Sequence, residues 1–246
     1  MTRTDEYRDR IYDRYVHSRS VPLVQAGVDG NASRGPYLAA MIRRHFPADR
    51  NAAVLDLGCG HGTALHFAQD AGYSNSRGVD RSPQQVAEAQ RLGIHGVAQG
   101  DVEETLRSTP ADSLDVVLTF DVIEHFRRDE LLVLVDGIHR VLRPDGRWIS
   151  HTVNAESPFF GRIRYGDLTH EQAFTRTSIG QLLLSSGFRN VACYEDAPVV
   201  HGVKSAVRYA IWKVLRAMLR TYLAAETGSL DPSVILSQNF LFVATK

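Results

Sequence analysis

The segment Asp56-Leu57-Gly58-Cys59-Gly60-His61-Gly62-Thr63 places a carboxylate two residues ahead of three glycines at alternate positions. Glycine tolerates positive φ and has no Cβ, so a turn of this composition lets the backbone approach a ligand closely. A helix opening near Thr63 would aim its free N–H groups at the same spot. The spacing Gly58-x-Gly60-x-Gly62 departs from the G-x-G-x-x-G that wraps a pyrophosphate. Asp56 at the mouth would repel a pyrophosphate and suits a cationic ligand. A tight strand–helix turn with no ligand would carry the same glycines, so the other reactive side chains must decide.

Two further acids follow short strand-like runs, in Gly78-Val79-Asp80 and Gly100-Asp101-Val102. An acid ending a second strand can accept hydrogen bonds from both hydroxyls of a ribose. Three acids in register with a glycine turn favour a ligand over three solvated loop residues. Histidine is the natural base for a hydroxyl near neutral pH, and His125, His151 and His170 are the candidates. His170 comes first, in a polar loop beside Asp167 and Glu171, which could orient its ring. His125 comes second, at a helix start, and His151 reads as a structural histidine within a strand. Asp121, Asp167 and His170 form no dense ligand cluster that argues for a metal. Cys59 and Cys193 have neither metal-ligand spacing nor a disulfide framework.

The elements that must position these groups alternate regularly. Apolar runs at 53–57, 76–80, 95–99, 114–120 and 147–153 read as strands, the fourth the clearest. Helical patterns lie between them at 63–71, from Pro83 to about Leu92, and over 127–142, where Leu131, Leu134, Val135, Ile138, Val141 and Leu142 share one face. Pro144-Asp145-Gly146 is a turn before the fifth strand. A helix over 177–186, a strand over 188–195 and a last strand over 239–245 follow a loop spanning 154–174. Such alternation predicts an α/β fold with a doubly wound, mostly parallel seven-stranded sheet and ligands at the carboxyl ends of the strands. The chain divides into an N-terminal cap (1–35), a core (36–198 and 237–246) and a helical insertion (199–236), all in one domain.

On these residues the sequence resembles the class I S-adenosylmethionine-dependent methyltransferases. Their first motif has the form of the Asp56–Gly62 turn, with the acid near the methionine end of the cofactor. The resemblance implies a Rossmann-like fold and cofactor contacts from Asp56, Gly58, Cys59, Gly60, Gly62, Asp80, Arg81, Asp101, Val102 and Phe120. Asp101 would accept from the adenine amine while the following backbone N–H meets a ring nitrogen. The family has a segment similar to Phe120-Asp121-Val122-Ile123-Glu124-His125 where methyl donor and acceptor meet, which makes Asp121 a catalytic candidate with His125 and His170. Leu142-Arg143-Pro144-Asp145-Gly146-Arg147 and Asp167-Leu168-Thr169-His170-Glu171 are similar to segments of its small-molecule branch. The resemblance covers roughly residues 50–195 and 239–246. It implies O-methylation of a small molecule or glycan hydroxyl. N- or C-methylation of a metabolite, or cofactor binding without turnover, are the alternatives, and a dehydrogenase is disfavoured by the glycine spacing and by Asp56.

Composition narrows the partners. Lys+Arg and Asp+Glu both number 28, so no global field recruits nucleic acid. The N-terminus lacks an apolar signal core and no uncharged run is long enough to span a bilayer, which points to the cytoplasm. Tyr7, Ile11, Tyr12, Tyr15 and Val16 form an amphipathic pattern over residues 1–20, either packed on the core or closing as a lid over the cofactor. A long helix from Val203 to Glu226 carries an apolar stripe (Val207, Ala210, Ile211, Val214, Leu215, Met218, Leu219). It also carries five cations, Lys204, Arg208, Lys213, Arg216 and Arg220, without an intervening acid. The two readings are a solvated face over a buried stripe and contact with an anionic membrane or a phosphorylated substrate.

Overall fold

A computed structural model describes residues 10–11, 34–229 and 231–246. The expected helix over residues 1–20 and nearly all of the 1–35 cap lie outside the described residues. From there the chain runs α1 (Gly35–His45), β1 (Val54–Leu57), α2 (Thr63–Asp70), β2 (Ser76–Asp80), α3 (Pro83–Arg91) and β3 (Val97–Gln99). It continues α4 (Val102–Ser108), β4 (Leu114–Phe120), a 3₁₀ turn (Ile123–His125), α5 (Arg128–Val141) and β5 (Leu142–Val153). Then come α6 (Phe160–Arg164), α7 (Arg176–Ser185), β6 (Arg189–Glu195), α8 (Val203–Thr227) and β7 (Asn239–Thr245).

The strands form one seven-stranded sheet in the order β3-β2-β1-β4-β5-β7-β6. β1 to β5 pair in parallel, and β7 runs antiparallel between β5 and β6. The order reverses between β1 and β4, which opens a crevice at their carboxyl ends. Successive side chains point to opposite faces, so the apolar runs of β1 and β4 build two cores at once. Leu55, Leu57, Val117 and Trp148 pack under α5 and α7 through Leu134, Ile138, Ile179 and Leu183. Val54, Val116, Leu118 and Ile149 pack under α1 and α2 through Leu38, Met41, Ile42 and Ala68. These two apolar layers hold the strand ends, and therefore the crevice, in place.

Several elements depart from the sequence reading. β5 starts at Leu142, and the expected Pro144-Asp145-Gly146 turn is a bulge within it. Leu114 pairs with Leu142 and Val116 with Arg147, so the extra residues loop out between them. Asp145 takes φ 65° there. A short helix, α4, follows Asp101, whose Oδ1 caps it by accepting from the amides of Glu103 and Glu104 at 2.9 and 3.0 Å. A second short helix, α6, interrupts the 154–174 loop.

The largest correction concerns α8. Of its two readings, the stripe buried against the core does not hold: Val207, Ile211, Val214, Leu215 and Met218 face solvent, and the buried residues of this helix are Ser205 and Arg216. Arg216 is 6% exposed and lies against the Glu195 carboxylate, and Arg220 reaches the Pro232 carbonyl, so they leave the expected continuous band of cations. The inward face of α8 meets polar groups at the end of β6, and a buried arginine needs such a partner. An apolar stripe finds no matching core there.

Candidate functional site

The glycine turn bridges β1 and α2. Gly58, Gly60 and Gly62 all have positive φ, of 69°, 56° and 82°. The amides of Gly58 and Cys59 both donate to the Val79 carbonyl, at 2.8 and 3.0 Å, which ties the turn to the end of β2. A Cβ on Gly58 would lie 2.6 Å from Val122, and one on Gly62 would lie 2.8 Å from Val97. Over Gly60 the nearest atom to an added Cβ is on Gln85 at 3.9 Å. The turn is therefore packed at both ends and open in the middle, where a ligand can approach the backbone.

Asp80 closes β2 beside this opening. Its carboxylate accepts from the Gly60 amide at 2.8 Å and the Ser82 amide at 2.9 Å. A carboxylate offers about four acceptor sites, so capacity remains for two ligand hydroxyls. Burial raises the Asp80 pKa, against the lowering effect of these amides. Asp56 lies within β1 at 1% exposure, and its Oδ1 has no hydrogen-bond partner in the protein. Burial, and then the neighbouring Asp80, push its pKa up to about 8. Cys59 packs against Gly78, where an added Cβ would meet its Sγ at 2.8 Å, and burial raises its thiol well above the thiolate range. It is a packing residue of the turn. Asp101 and Arg81 are exposed and Val102 is half-buried, all at the same end of the sheet as Asp56 and Asp80.

A second set of groups meets at the carboxyl ends of β4 and β5. Register pairs Phe120 with His151, and their rings lie nearly parallel, with centroids 5.7 Å apart. Asp121, the next residue, takes φ 55°. That left-handed conformation costs an aspartate free energy of order 1–3 kcal/mol and is kept where the surroundings enforce it. Here the enforcing contacts are visible: His151 Nδ1 lies 2.6 Å from one carboxylate oxygen of Asp121 and Arg34 donates to the other at 2.8 Å. His151 Nε2 is 3.5 Å from Asp196, which follows β6. Burial works against charge on His151, yet Asp121 and then Asp196 raise its pKa to about 9. Burial likewise opposes ionisation of Asp121, but His151 and Arg34 more than offset it and hold its carboxyl below the usual range.

His151 and its neighbours line a cavity of about 190 Å³. Its walls include Arg34, Tyr37, Phe120, His151, Asp196 and Arg208. The Tyr37 hydroxyl is buried without a hydrogen-bond partner, and its ring stands edge-on to His151 at 6.0 Å. The buried Glu124 accepts from Thr152 at 2.9 Å, and burial followed by Asp121 raises its pKa to about 8.

The two histidines preferred from sequence stand elsewhere. His125 and His170 pack ring against ring, centroids 4.7 Å apart. His125 Nδ1 is 2.9 Å from the Thr169 hydroxyl, and His170 Nδ1 donates to the Ile163 carbonyl at 3.0 Å. Burial, then the neighbouring His170, lowers the His125 pKa to about 4. Asp121, by contrast, pairs with His151, the histidine expected to be structural, and it is His151 that lines the cavity. The signal for His151 was there: Ser150-His151-Thr152 is a polar run in a strand covered on both faces, and buried polar groups need a reason. Arg34, Tyr37, Asp196 and Arg208 had no local signal, since only the folded sheet brings them to Phe120.

A family model described as a methyltransferase domain matches residues 31–193. No curated protein matches the chain in sequence. Among solved structures, an S-adenosylmethionine-dependent methyltransferase from Archaeoglobus fulgidus superposes with a TM-score of 0.64 at 22% identity, covering 88% of this chain and 97% of that one. One from Mesorhizobium loti gives 0.57 at 20% identity, covering 89% and 100%. Phosphoethanolamine N-methyltransferase 2 of Haemonchus contortus, in complex with S-adenosyl-L-methionine, gives 0.62 at 18% identity, covering 99% of this chain and 58% of that one.

Proposed function

This chain belongs to the S-adenosylmethionine-dependent methyltransferase family, and from that premise we propose that it methylates a hydroxyl of a small molecule or glycan, with His151 as the base. The observation that carries this reading is His151 in the wall of the cavity beside Phe120, with its Nδ1 paired to Asp121.

The crevice fits the cofactor. Asp56 is a buried carboxyl with an unpartnered oxygen, crowded by burial and by Asp80, and a cationic group beside it would relieve that crowding. The open backbone over Gly60 gives a ligand close approach. Asp80 would hold the ribose hydroxyls. The Asp101 Oδ1 is engaged in capping α4, so its Oδ2 would receive the adenine amine, beside Val102. Bound there, S-adenosylmethionine supplies an electrophilic methyl group on a sulfonium.

The chain's own residues then position the acceptor and move its proton. Neutral His151 would take the hydroxyl proton on Nε2, freeing the acceptor oxygen for the methyl group that the cofactor would supply in place of its bond to sulfur. Asp121 fixes the imidazole with Nδ1 as the donor and stabilises the imidazolium that results. Asp196, on the far side of the ring and partly exposed, offers that proton a way to solvent. Phe120 and Tyr37 keep the ring in place and limit water.

N-methylation is the rival, and Asp196 is what favours it, because a carboxylate in the cavity wall would hold an amine. Formation of S-adenosylhomocysteine with matched panels of phenol, sugar and amine acceptors separates the two. Turnover with hydroxyl acceptors that His151→Asn abolishes supports the assignment. Turnover confined to amines, or unaffected by that substitution, overturns it.

A further inference from the structure

We infer that the outward face of α8 docks on an anionic lipid bilayer. Val207, Ile211, Val214, Leu215, Met218 and Tyr222 recur at steps of three and four residues and keep 54% to 63% of their surface exposed. Six large apolar side chains in one row cost solubility, and such a patch marks an interaction surface. The helix shows the reverse of a packed amphipathic pattern, with Ser205 and Arg216 buried and the apolar row outside.

Charge selects the occupant. On a helical projection Lys204 lies within the row and Arg208 beside Leu215 at its edge, both exposed, whereas Lys213 points away from the row and lies over the Tyr209 ring. The only acid in the helix is Glu226, at its far end. In a protein whose acids and bases balance at 28 each, the two cations on this face of the helix have no acid beside them. Such a face buries its apolar row at the acyl boundary and sets its cations among anionic headgroups. Spanning is excluded for this helix, since no helix among the described residues is long and apolar enough to cross a membrane. Arg208 also lines the cavity beside His151, so docking would bring the cavity to the headgroups and favour an acceptor drawn from the membrane. Entry of the acceptor depends on the cavity assigned above, whereas binding to vesicles does not.

The test is flotation of the full chain with vesicles of phosphatidylcholine alone, or of phosphatidylcholine with roughly one-third phosphatidylglycerol. The wild type should float with the mixed vesicles at low salt, stay behind with phosphatidylcholine, and be released as salt rises. The doubly substituted Ile211→Ser/Met218→Ser and Lys204→Glu/Arg208→Glu proteins should each lose at least about tenfold in partitioning. Both substitutions lie on exposed positions, and unchanged melting and S-adenosylmethionine affinity would show that the fold is kept. If either variant melts early, Ile211→Ala or Lys204→Gln replaces it, with a smaller loss expected in the same direction. Failure of the wild type to float with mixed vesicles overturns the inference, as does binding that neither pair of substitutions weakens. A wild-type dimer that becomes monomeric on Ile211→Ser/Met218→Ser, without vesicle binding, overturns it in favour of self-association through α8.

Discussion

His151 Nδ1 lies 2.6 Å from the Asp121 carboxylate, a contact made across the carboxyl ends of neighbouring strands β4 and β5. It couples a strained backbone position to a buried base. The pair sets a pH dependence whose sign follows from the raised imidazole pKa. His151 must be neutral to accept a proton, so kcat/KM of the free enzyme should climb about tenfold per pH unit until it levels near pH 9. Asp121→Asn removes the first charge that holds the proton, and the break should move down toward the ordinary imidazole range while the plateau rate falls. Glu124 ionises near pH 8 and is the control: Glu124→Gln should leave the break near 9. A break that Asp121→Asn leaves in place would refute the assignment. The folded-state shift also stabilises the protein fully below about pH 6.5, and this contribution is lost as pH rises through about 9.

The three histidines separate by turnover. His151→Asn should cut kcat by roughly 10²–10⁴ with little change in cofactor affinity, the range of a positioned acid–base group. His125→Asn and His170→Asn disturb a buried ring pair and should lower the melting temperature, with kcat kept within about tenfold. Single-turnover measurements at pH 9 distinguish these outcomes. A collapse in His170→Asn alone would return the role to that residue.

Much of this architecture was legible in the sequence because the strands are buried on both faces and read as apolar runs. Val116, Val117 and Leu118 each serve one of two cores, so the pattern cannot be mistaken for a half-exposed strand. The glycine turn was legible for a local reason: Asp56, Gly58, Gly60 and Gly62 belong to one strand–helix connection. The cavity was not, because it is assembled by register. Phe120 and His151 are far apart in sequence and adjacent only when β4 pairs with β5. The orientation of α8 was illegible as well. Its apolar periodicity is the same whether the stripe faces a core or solvent, and what decides is the Glu195 carboxylate waiting for Arg216.

The glycines of the turn should divide into packing and binding roles. Gly58→Ala combines a left-handed φ of 69° with a Cβ 2.6 Å from Val122, and should destabilise the fold by about 1–3 kcal/mol. Gly60→Ala meets nothing closer than Gln85 at 3.9 Å, so its cost to folding is the backbone term alone, about 1–2 kcal/mol. Its Cβ instead occupies the space through which the cofactor approaches. Denaturant melts and calorimetry should therefore rank the two oppositely: Gly58→Ala the less stable, Gly60→Ala the weaker binder. Equal cofactor affinity in Gly60→Ala and wild type would remove the ligand from the middle of the turn.

Asp56 gives a prediction that reads cofactor binding through protons. Its carboxyl is buried, has an unpartnered oxygen and titrates near pH 8, so at neutral pH the ligand-free protein holds it largely protonated. A cation bound beside it favours the ionised form. Binding of S-adenosylmethionine should then release close to one proton at pH 7, and affinity should weaken by up to about tenfold per unit as pH falls below 8. Calorimetry in two buffers of different ionisation enthalpy measures that release directly, and Asp56→Asn should abolish it. Stability moves the other way. The folded-state pKa lies above the unfolded value of 3.8, so this group's contribution falls as pH rises from about 4 to about 8. Asp56→Asn, which cannot ionise, should accordingly gain stability relative to wild type in the ligand-free state above pH 8 and lose cofactor affinity at the same pH. A variant that binds S-adenosylmethionine as tightly as wild type, with no change in proton release, would place the cationic end of the cofactor away from Asp56.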